Sequence, residues 1–182
     1  MDAEPQAPIR LTRWNVITGA PCSGKTSVIN ELARKGFRVV PEAARAHIHA
    51  EMMKGRRLGE IKSDPARFEG HIFRNKLRIE AALPAAELLF LDRALPDSIA
   101  YYLLEGLDPS EPRRQSTRIR YQQVFLFERL DFVMDPVRSE DAQTADRIER
   151  LIESVYGSLG YTMVRVPVLP IPARIEFLLA RL

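Results

Sequence analysis

Two glycines, a lysine and a threonine near the N-terminus have the spacing of a phosphate-binding loop. Residues 19–26 read GAPCSGKT and match the pattern G-x-x-x-x-G-K-[ST]. Glycines let such a loop wrap closely around an anion with successive N–H groups directed inward, and the helix that follows adds partial positive charge. In this pattern Lys25 reaches the β- and γ-phosphates of a nucleoside triphosphate, and the Thr26 hydroxyl binds Mg²⁺.

We therefore predict a site for ATP or GTP with Mg²⁺. The residues predicted to contact the nucleotide are Gly19, Cys22, Ser23, Gly24, Lys25, Thr26 and Ser27. The simpler alternative is an ordinary glycine-rich turn at the start of a helix. We interpret Cys22 as a loop residue and not as a nucleophile, because its thiolate would lie beside bound phosphate.

Acidic residues at the ends of two apolar runs are candidates for the metal site. LLFLD ends in Asp92 and VFLFE ends in Glu128. A magnesium-bound triphosphate usually needs such an acid at the end of a neighbouring strand. We favour Asp92, because Arg93 follows it and adds a cation on the phosphate side. The alternative is that Asp92 only caps the next helix. Asp97 could equally be the cap of that helix or an acid of its first turn.

A third acid, Glu42, follows the second apolar run in RVVPEAAR. This position is at the carboxyl edge of the predicted sheet, where open α/β sheets bind ligands. A carboxylate there could accept the proton of a hydroxyl group that attacks the γ-phosphate. Position alone leaves open the alternative that Glu42 only interacts with a helix dipole.

The elements that must position these residues follow from the hydrophobic pattern. The predicted strands are WNVIT (14–18), FRVV (37–40), ELLFLD (87–92), QVFLF (123–127) and YTMVRV (161–166). Most of these runs are continuous, as is typical of strands covered on both faces, and segments with helical spacing lie between them. This alternation predicts an α/β fold with a parallel sheet between two helical layers.

No linker divides the chain. We expect a short disordered leader over residues 1–12 and a single domain over residues 13–182. The chain has 182 residues, 46% of them hydrophobic and 28% charged, which is typical of a globular domain.

Charge and cysteine content restrict the partners that we expect. The net charge of +3 is too small to require a nucleic-acid partner, and no apolar run is long enough for a membrane helix. We therefore expect neither nucleic acid nor membrane as a partner. The single cysteine excludes an internal disulfide, so we expect a reducing, cytoplasmic location.

Four segments carry a resemblance to a known family. They are ITGAPCSGKTSVINEL (17–32), VVPEAAR (39–45), LFLDRALPDSIAYY (89–102) and MDPVRSED (134–141). In this order they resemble the AAA_28-type P-loop family over nearly the whole chain. That family includes the ribosylnicotinamide kinase domain of NadR-type proteins and the TRPL translocation defect protein of photoreceptors. It is more distantly similar to deoxynucleoside kinases.

The resemblance implies a P-loop NTPase fold whose five parallel strands have the kinase-type order 2-3-1-4-5. It implies that Glu42 and Arg45 face an acceptor, and that Asp92 and Arg93 lie at the metal and the phosphates. Together with Arg138, whose role is described next, the predicted catalytic set is Lys25, Glu42 and Arg93. The predicted acceptor contacts are Glu42, Arg45 and Arg93, and the predicted metal ligands are Thr26 and Asp92.

Arg138 lies where P-loop kinases carry a lid. An arginine there could fold over the triphosphate and neutralise developing charge. The alternative is a surface arginine that pairs with Glu140 or Asp141.

Basic stretches and histidines are less informative. We interpret residues 54–62 and 111–122 as solvated helix faces, although attraction to an anionic ligand or lipid is an alternative. His47 and His49 diverge on a predicted helix and His71 stands alone, so we expect no zinc site.

These features support two main functional hypotheses. The first is a Mg²⁺-dependent kinase that transfers the γ-phosphoryl group of ATP to a hydroxyl of a small, nucleoside-like acceptor. The second is an ATP- or GTP-binding regulatory switch with a protein or anionic-lipid partner. A motor-type ATPase of the larger AAA+ class fits less well, because few residues follow the fifth strand.

Overall fold

All five predicted strands are present, and three of them are shorter than predicted. The structure, a computed structural model, describes residues 8–130 and 142–182. The strands in these ranges are β1 (Arg10–Leu11), β2 (Trp14–Thr18), β3 (Arg38–Val40), β4 (Leu89–Asp92), β5 (Ile119–Arg120), β6 (Gln123–Phe127) and β7 (Val164–Val166).

Helices occupy most of the segments between the strands. They are α1 (Lys25–Arg34), α2 (Ala43–Met53), α3 (Leu58–Ile61), α4 (Pro65–Ala82), α5 (Leu95–Leu104), α6 (Ser110–Ser116), α7 (Ala142–Ser158) and α8 (Ile171–Leu179). Several helices begin as the sequence suggests. For example, α4 has Pro65 in its first turn, and the Asp64 carboxylate accepts a hydrogen bond from the Arg67 N–H at 3.0 Å.

The main sheet has five parallel strands in the order β3-β4-β2-β6-β7. Counted along the predicted strands, this is the order 2-3-1-4-5, so the predicted fold class is confirmed. The central strand β2 pairs with β4 on one side and β6 on the other, with Val16 opposite both Leu91 and Val124. Because all strands run in one direction, their carboxyl ends lie at one edge, where β2, β3 and β4 deliver the predicted site residues.

The two faces of the sheet explain why the strand sequences are continuously apolar. Residues such as Val16 and Leu91 pack into one core with α5 and α7. Their neighbours Ile17 and Phe90 point the other way, into a second core with α1 and α8. Both sets are buried, so burial of apolar surface stabilises both helical layers against the sheet.

A second, two-stranded sheet was not predicted. In it β1 pairs in parallel with β5, with Arg10 opposite Ile119. The expectation of disorder throughout residues 1–12 is therefore wrong for residues 10 and 11. Their partner lies more than a hundred residues away in the chain, and local sequence patterns do not reveal so distant a pairing.

Within the two described ranges, no helix combines the length and the hydropathy that a membrane span requires.

Candidate active site

The loop at residues 19–26 connects β2 to α1, as predicted. Gly19 has a φ of +138° and lies so close to β6 that an added Cβ would be 2.6 Å from the Phe127 carbonyl oxygen. Gly24 caps α1 with a φ of +78°, and Cys22 has a φ of +60°. The loop therefore curls tightly at positions where glycine removes strain and steric conflict.

Lys25 extends back over this loop. Its ammonium group donates hydrogen bonds to the carbonyl oxygens of Gly19 at 3.1 Å and Ala20 at 2.8 Å, and to Ser23 Oγ at 2.9 Å. The lysine is buried, whereas Ser27 is exposed on the first turn of α1. These neutral acceptors are weaker partners for an ammonium group than phosphate oxygens are, so a bound phosphate can replace them.

Thr26 and Asp92, the two predicted metal ligands, are in contact. The Thr26 hydroxyl donates to Asp92 Oδ2 at 3.3 Å. A hydroxyl and a carboxylate oxygen suit Mg²⁺, which takes few protein ligands and completes its shell with phosphate and water oxygens. The described residues contain no cluster of three or more histidine, cysteine or acidic side chains that could hold a metal.

The other metal candidate, Glu128, lies in a different environment. Its carboxylate is close enough to Arg174 to favour the charged form of that arginine. The contact between Thr26 and Asp92 therefore supports the preference for Asp92 over Glu128 in the metal-binding role.

Glu42 and Arg93 form a buried ion pair. Arg93 Nε donates to Glu42 Oε1 at 3.0 Å, and Arg45 Nε lies 3.8 Å from Glu42 Oε2. Arg93 directly follows β4 and has a φ of +68°, an uncommon conformation for a residue with a side chain. Such strain often occurs at functional sites, and here it directs the guanidinium toward the carboxylate that follows β3.

Asp97, at the start of α5, is buried, and its carboxylate accepts several hydrogen bonds. It accepts hydrogen bonds from Thr18 Oγ1 at 2.5 Å, Ala94 N at 2.9 Å, Tyr156 OH at 2.7 Å and Arg93 Nη1 at 3.1 Å. Burial alone would raise the pKa of Asp97, but Arg93, Lys76 and the hydrogen bonds from Thr18 and Ala94 N lower it. Asp97 is therefore an acid of the first turn of α5, where it accepts from the N–H of the N-cap residue Ala94, and the same carboxylate also fixes Arg93.

A cavity of about 290 Å³ adjoins the loop and this ion pair. Its lining includes Pro21, Glu42, Ala44, Arg45, Ile48, Lys62, Pro65, Phe68, Glu69, Ile72, Lys76, Arg93, Tyr101, Leu104, Glu105 and Thr144. Small-molecule sites have volumes of about 300–1,000 Å³, and this one is near the lower limit. Its size and its mixed lining suit a small molecule that has both polar and apolar groups. Its wall contains all three predicted acceptor contacts.

Glu69, in the wall of this cavity, was missed by the sequence analysis. Burial raises the pKa of Glu69 to about 7, with Lys76 opposing the shift. A carboxyl group with this pKa is close to half protonated at neutral pH, so it can both donate and accept hydrogen bonds. These properties make Glu69 a candidate acceptor contact.

Two further charged residues of α4 are buried. Lys76 donates to Ala94 O at 3.1 Å, and Glu80 accepts from Leu95 N at 3.0 Å and from Tyr121 OH at 2.6 Å. Glu69, Lys76 and Glu80 are spaced at seven and four residues, so they share one helix face. Charged residues along the apolar face of a predicted helix were the signal that could have identified them.

Arg138 and the rest of the predicted lid lie outside the described residues. The basic stretch at residues 54–62 is largely paired: Lys54 and Arg56 contact Glu51, and Arg57 contacts Glu60.

In the stretch at residues 111–122, Arg114 pairs with Glu111. Arg120 donates to the Leu159 carbonyl at 3.0 Å and lies over the Tyr161 ring. These contacts favour surface and packing roles for both stretches, but the interpretation as helix faces is wrong for residues 119 and 120, which form β5.

The expectation that His71 stands alone is wrong. Its ring lies 4.1 Å from that of His47, centroid to centroid, and joins α2 to α4. Burial and the neighbouring His71 lower the pKa of His47. The contact is between two helices, so it could not be read from the spacing within one.

Sequence comparison with known families agrees with this geometry. Residues 14–174 match AAA_28, described as an AAA domain. The chain belongs to the AAA_28 family. The match runs from the first residue of β2 into α8 and so includes the loop, Glu42, Asp92 and Arg93. No curated protein matches this AAA_28 chain in sequence.

Solved structures show the same fold at low sequence identity. Thymidylate kinase from Ehrlichia chaffeensis has a TM-score of 0.66 and 13% identity, over 93% of this chain and 98% of that one. Deoxyadenosine kinase from M. mycoides, with dCMP and dCDP bound, has a TM-score of 0.61 and 14% identity, over 92% and 97%. NadR in complex with NR has a TM-score of 0.64 and 16% identity, over 86% of this chain and 46% of NadR. The AAA_28 chain therefore has the fold of P-loop kinases.

Proposed function

We propose that this protein is a Mg²⁺-dependent kinase that transfers the γ-phosphoryl group of ATP to a hydroxyl of a small, nucleoside-like acceptor. One observation carries the proposal. The cavity of about 290 Å³ has Pro21 of the phosphate loop on one side and Glu42, Arg45 and Arg93 in its wall. A nucleotide switch needs no second small-molecule cavity beside its phosphates, whereas a kinase needs one for the acceptor.

The residues divide between the donor and acceptor sides of this site. Lys25 and the N–H groups of residues 19–26 would bind the β- and γ-phosphates of ATP. Thr26 and Asp92 would hold Mg²⁺, which when bound neutralises phosphate charge and orients the triphosphate. Arg93, fixed by Glu42 and Asp97, would add positive charge between donor and acceptor.

Glu42 would act as the general base. The acceptor oxygen attacks the γ-phosphorus, and the bond between that phosphorus and the β–γ bridging oxygen breaks, which releases ADP. The acceptor hydroxyl proton passes to a Glu42 carboxylate oxygen. Arg93 and Arg45 hold this carboxylate in place, so its position is defined before the acceptor binds.

Arg138 stays a predicted contributor of charge from the lid, as proposed from its sequence position. The structures of nucleoside and nucleotide kinases with the same fold support a nucleoside-like acceptor, since a cavity lined by both apolar and charged side chains suits a base ring that carries a ribose.

A screen for ADP release tests the proposal. Purified protein with ATP and Mg²⁺ would be incubated with nucleosides, nicotinamide riboside and simple sugars, each in parallel with an acceptor-free control. We expect at least one nucleoside-type compound to stimulate ADP release, with stoichiometric formation of a phosphorylated product. Slow ADP release that no acceptor stimulates would refute the kinase proposal and favour a regulatory NTPase.

A further inference from the structure

Arg174, on the first turns of α8, is a buried arginine that none of the assigned roles explains. Only 2% of its surface is exposed. Its Nη1 donates to the backbone carbonyl of Ser23, in the phosphate loop, at 2.6 Å. The two residues are 151 positions apart in the chain, so this hydrogen bond joins the C-terminal helix to the loop that we assign to phosphate binding.

The guanidinium fits closely against the loop. An added Cβ on Gly24 would lie 3.2 Å from Arg174 Nη1, so a side chain at this position would crowd the arginine. On the other side, Arg174 lies 5.2 Å from the centroid of the Phe127 ring, at the end of β6. Arg174 is thus held between the loop and the sheet, and its contact with Ser23 is a fixed feature of the fold.

The hydrogen bond to Ser23 also constrains the next peptide N–H. A trans peptide is planar, so the carbonyl of Ser23 and the N–H of Gly24 point in opposite directions. Because Arg174 holds the carbonyl from the α8 side, the Gly24 N–H must point away from α8. In a phosphate-binding loop the N–H groups have to converge on the anion, so this orientation determines anion affinity.

The surroundings of Arg174 leave part of its positive charge unbalanced and some of its hydrogen-bond donors without an acceptor. Its Nε and Nη2 atoms are buried and have no hydrogen-bond partner among the residues that the structure describes. Burial lowers the pKa of Arg174, and the charge of Glu128 opposes that shift. A buried, incompletely paired cation is costly for folding alone, and the negative charge of an anion bound on the far side of the loop would offset part of that cost without a direct hydrogen bond to the arginine.

We propose that Arg174 is a positioning residue for the triphosphate: it fixes the Ser23–Gly24 peptide in the phosphate-binding orientation, and its buried charge is balanced by the bound phosphates. The inference rests on the nucleotide binding in the proposed function and not on the transfer to an acceptor. A wild-type protein that binds ATP·Mg²⁺ but phosphorylates no acceptor would refute the kinase reaction and leave this inference standing.

Calorimetric titration of an Arg174→Met variant tests the inference. Methionine keeps an unbranched apolar side chain but removes the charge and the donors. We expect the Kd for ATP·Mg²⁺ to rise about 10- to 100-fold, the range for a lost hydrogen bond to a charged group. Inorganic tripolyphosphate should lose affinity by a similar factor, because the effect is on the phosphates.

Thermal unfolding without nucleotide separates this role from a purely structural one. We expect the melting temperature of Arg174→Met to be unchanged or higher, because a half-satisfied buried cation has been removed. A lower melting temperature with wild-type affinity for ATP·Mg²⁺ would overturn the inference, as would weaker ATP binding with unchanged tripolyphosphate binding.

Two more variants complete the design. Arg181→Met is the matched control, because Arg181 follows α8, is exposed and lies over the Phe177 ring, 3.6 Å from its centroid. It should change neither affinity nor stability appreciably. Arg174→Gln keeps a polar side chain but removes the charge, and its shorter amide stops short of the Ser23 carbonyl, so we expect at least about tenfold weaker ATP·Mg²⁺ binding. If Arg174→Met does not fold, wild-type affinity in Arg174→Gln overturns the proposal.

Discussion

Arg93 Nη1 lies 3.1 Å from Asp97 Oδ1, and both side chains are buried. The same carboxylate is a hydrogen-bond acceptor for Thr18 and Tyr156. One acid at the start of α5 therefore joins β2, α7 and the arginine that contacts Glu42. The position of the proposed base depends on a charge network that extends well behind the cavity.

Replacement of Asp97 should destabilise the whole fold. In Asp97→Asn the shape is retained, but Arg93 and Lys76 lose a buried negative neighbour. We expect a loss of about 3–5 kcal/mol in the free energy of unfolding, measured with urea. Asp146→Asn is the control, because Asp146 pairs with Arg129 while half exposed, and such a pair contributes about 0–1 kcal/mol. Equal effects in the two variants would contradict the buried-network account.

Glycine at position 19 should be required for steric reasons. In Gly19→Ala the new Cβ would lie 2.6 Å from the Phe127 carbonyl oxygen, so the loop or β6 must shift. We expect a destabilisation of about 1–3 kcal/mol and a marked loss of nucleotide affinity.

Two other glycines provide controls for Gly19→Ala. Gly59 lies in α3 with open space around it, so Gly59→Ala should be neutral or slightly stabilising. Gly36 has a φ of +89° but also has open space, so Gly36→Ala measures conformational strain without the clash. If Gly19→Ala were no more harmful than Gly36→Ala, the close contact with Phe127 would not matter.

The buried carboxyl of Glu80 should make stability depend on pH. Burial raises the pKa of Glu80 to about 7 from its ordinary value of 4.5. The folded state therefore binds the proton more tightly than the unfolded state, and this contribution to stability is lost as pH rises from about 4.5 through 7.

Glu80→Gln should remove this contribution while its amide oxygen still accepts from Leu95 N and its amide NH2 donates to the Tyr121 hydroxyl oxygen. Urea unfolding at pH 5 and pH 8 measures the effect. Between these two pH values, the loss of stability should be smaller in the variant than in the wild type by on the order of 2 kcal/mol. Glu87 is partly exposed and pairs with Arg38 at the surface, so Glu87→Gln should leave the pH dependence between pH 5 and pH 8 nearly unchanged. An identical pH dependence in wild type and Glu80→Gln would contradict the assignment.

The contact between Thr26 and Asp92 predicts how nucleotide binding responds to magnesium. In Thr26→Ala or Asp92→Asn, one proposed Mg²⁺ ligand is removed, so we expect the Mg²⁺ concentration for half-maximal ATP binding to rise about tenfold. Glu128→Gln changes the rejected candidate and should shift this concentration much less. A larger shift in Glu128→Gln than in Asp92→Asn would reverse the metal assignment.

Much of the fold could be predicted from the sequence, because the apolar runs that mark strands are local patterns. Continuous apolar runs marked β2, β4 and β6, and their order in the sheet followed from the family resemblance. The site residues at the carboxyl edge, such as Asp92 and Glu42, could be predicted because each directly follows a strand.

The features that the sequence analysis missed depend on long-range contacts. Glu69, Lys76 and Glu80 tolerate burial because their partners or neighbours lie on other elements, so a helical pattern alone favours exposed positions for them. The contact of Arg174 with Ser23 spans 151 positions and has no local signature. In physical terms, periodicity predicts which face of an element is buried, but compensation of a buried charge requires tertiary structure.

The central claim is that Glu42 accepts the proton of an acceptor hydroxyl, and the kinetics of Glu42→Gln test it most directly. Glutamine retains an oxygen for Arg93 Nε, so the site should stay assembled. With the best acceptor from the screen, we expect kcat to fall about 10²- to 10⁴-fold while the Kd for ATP·Mg²⁺ stays within about twofold. Glu87→Gln, on the surface, should retain wild-type kcat. Acceptor phosphorylation by Glu42→Gln at the wild-type rate would contradict the account.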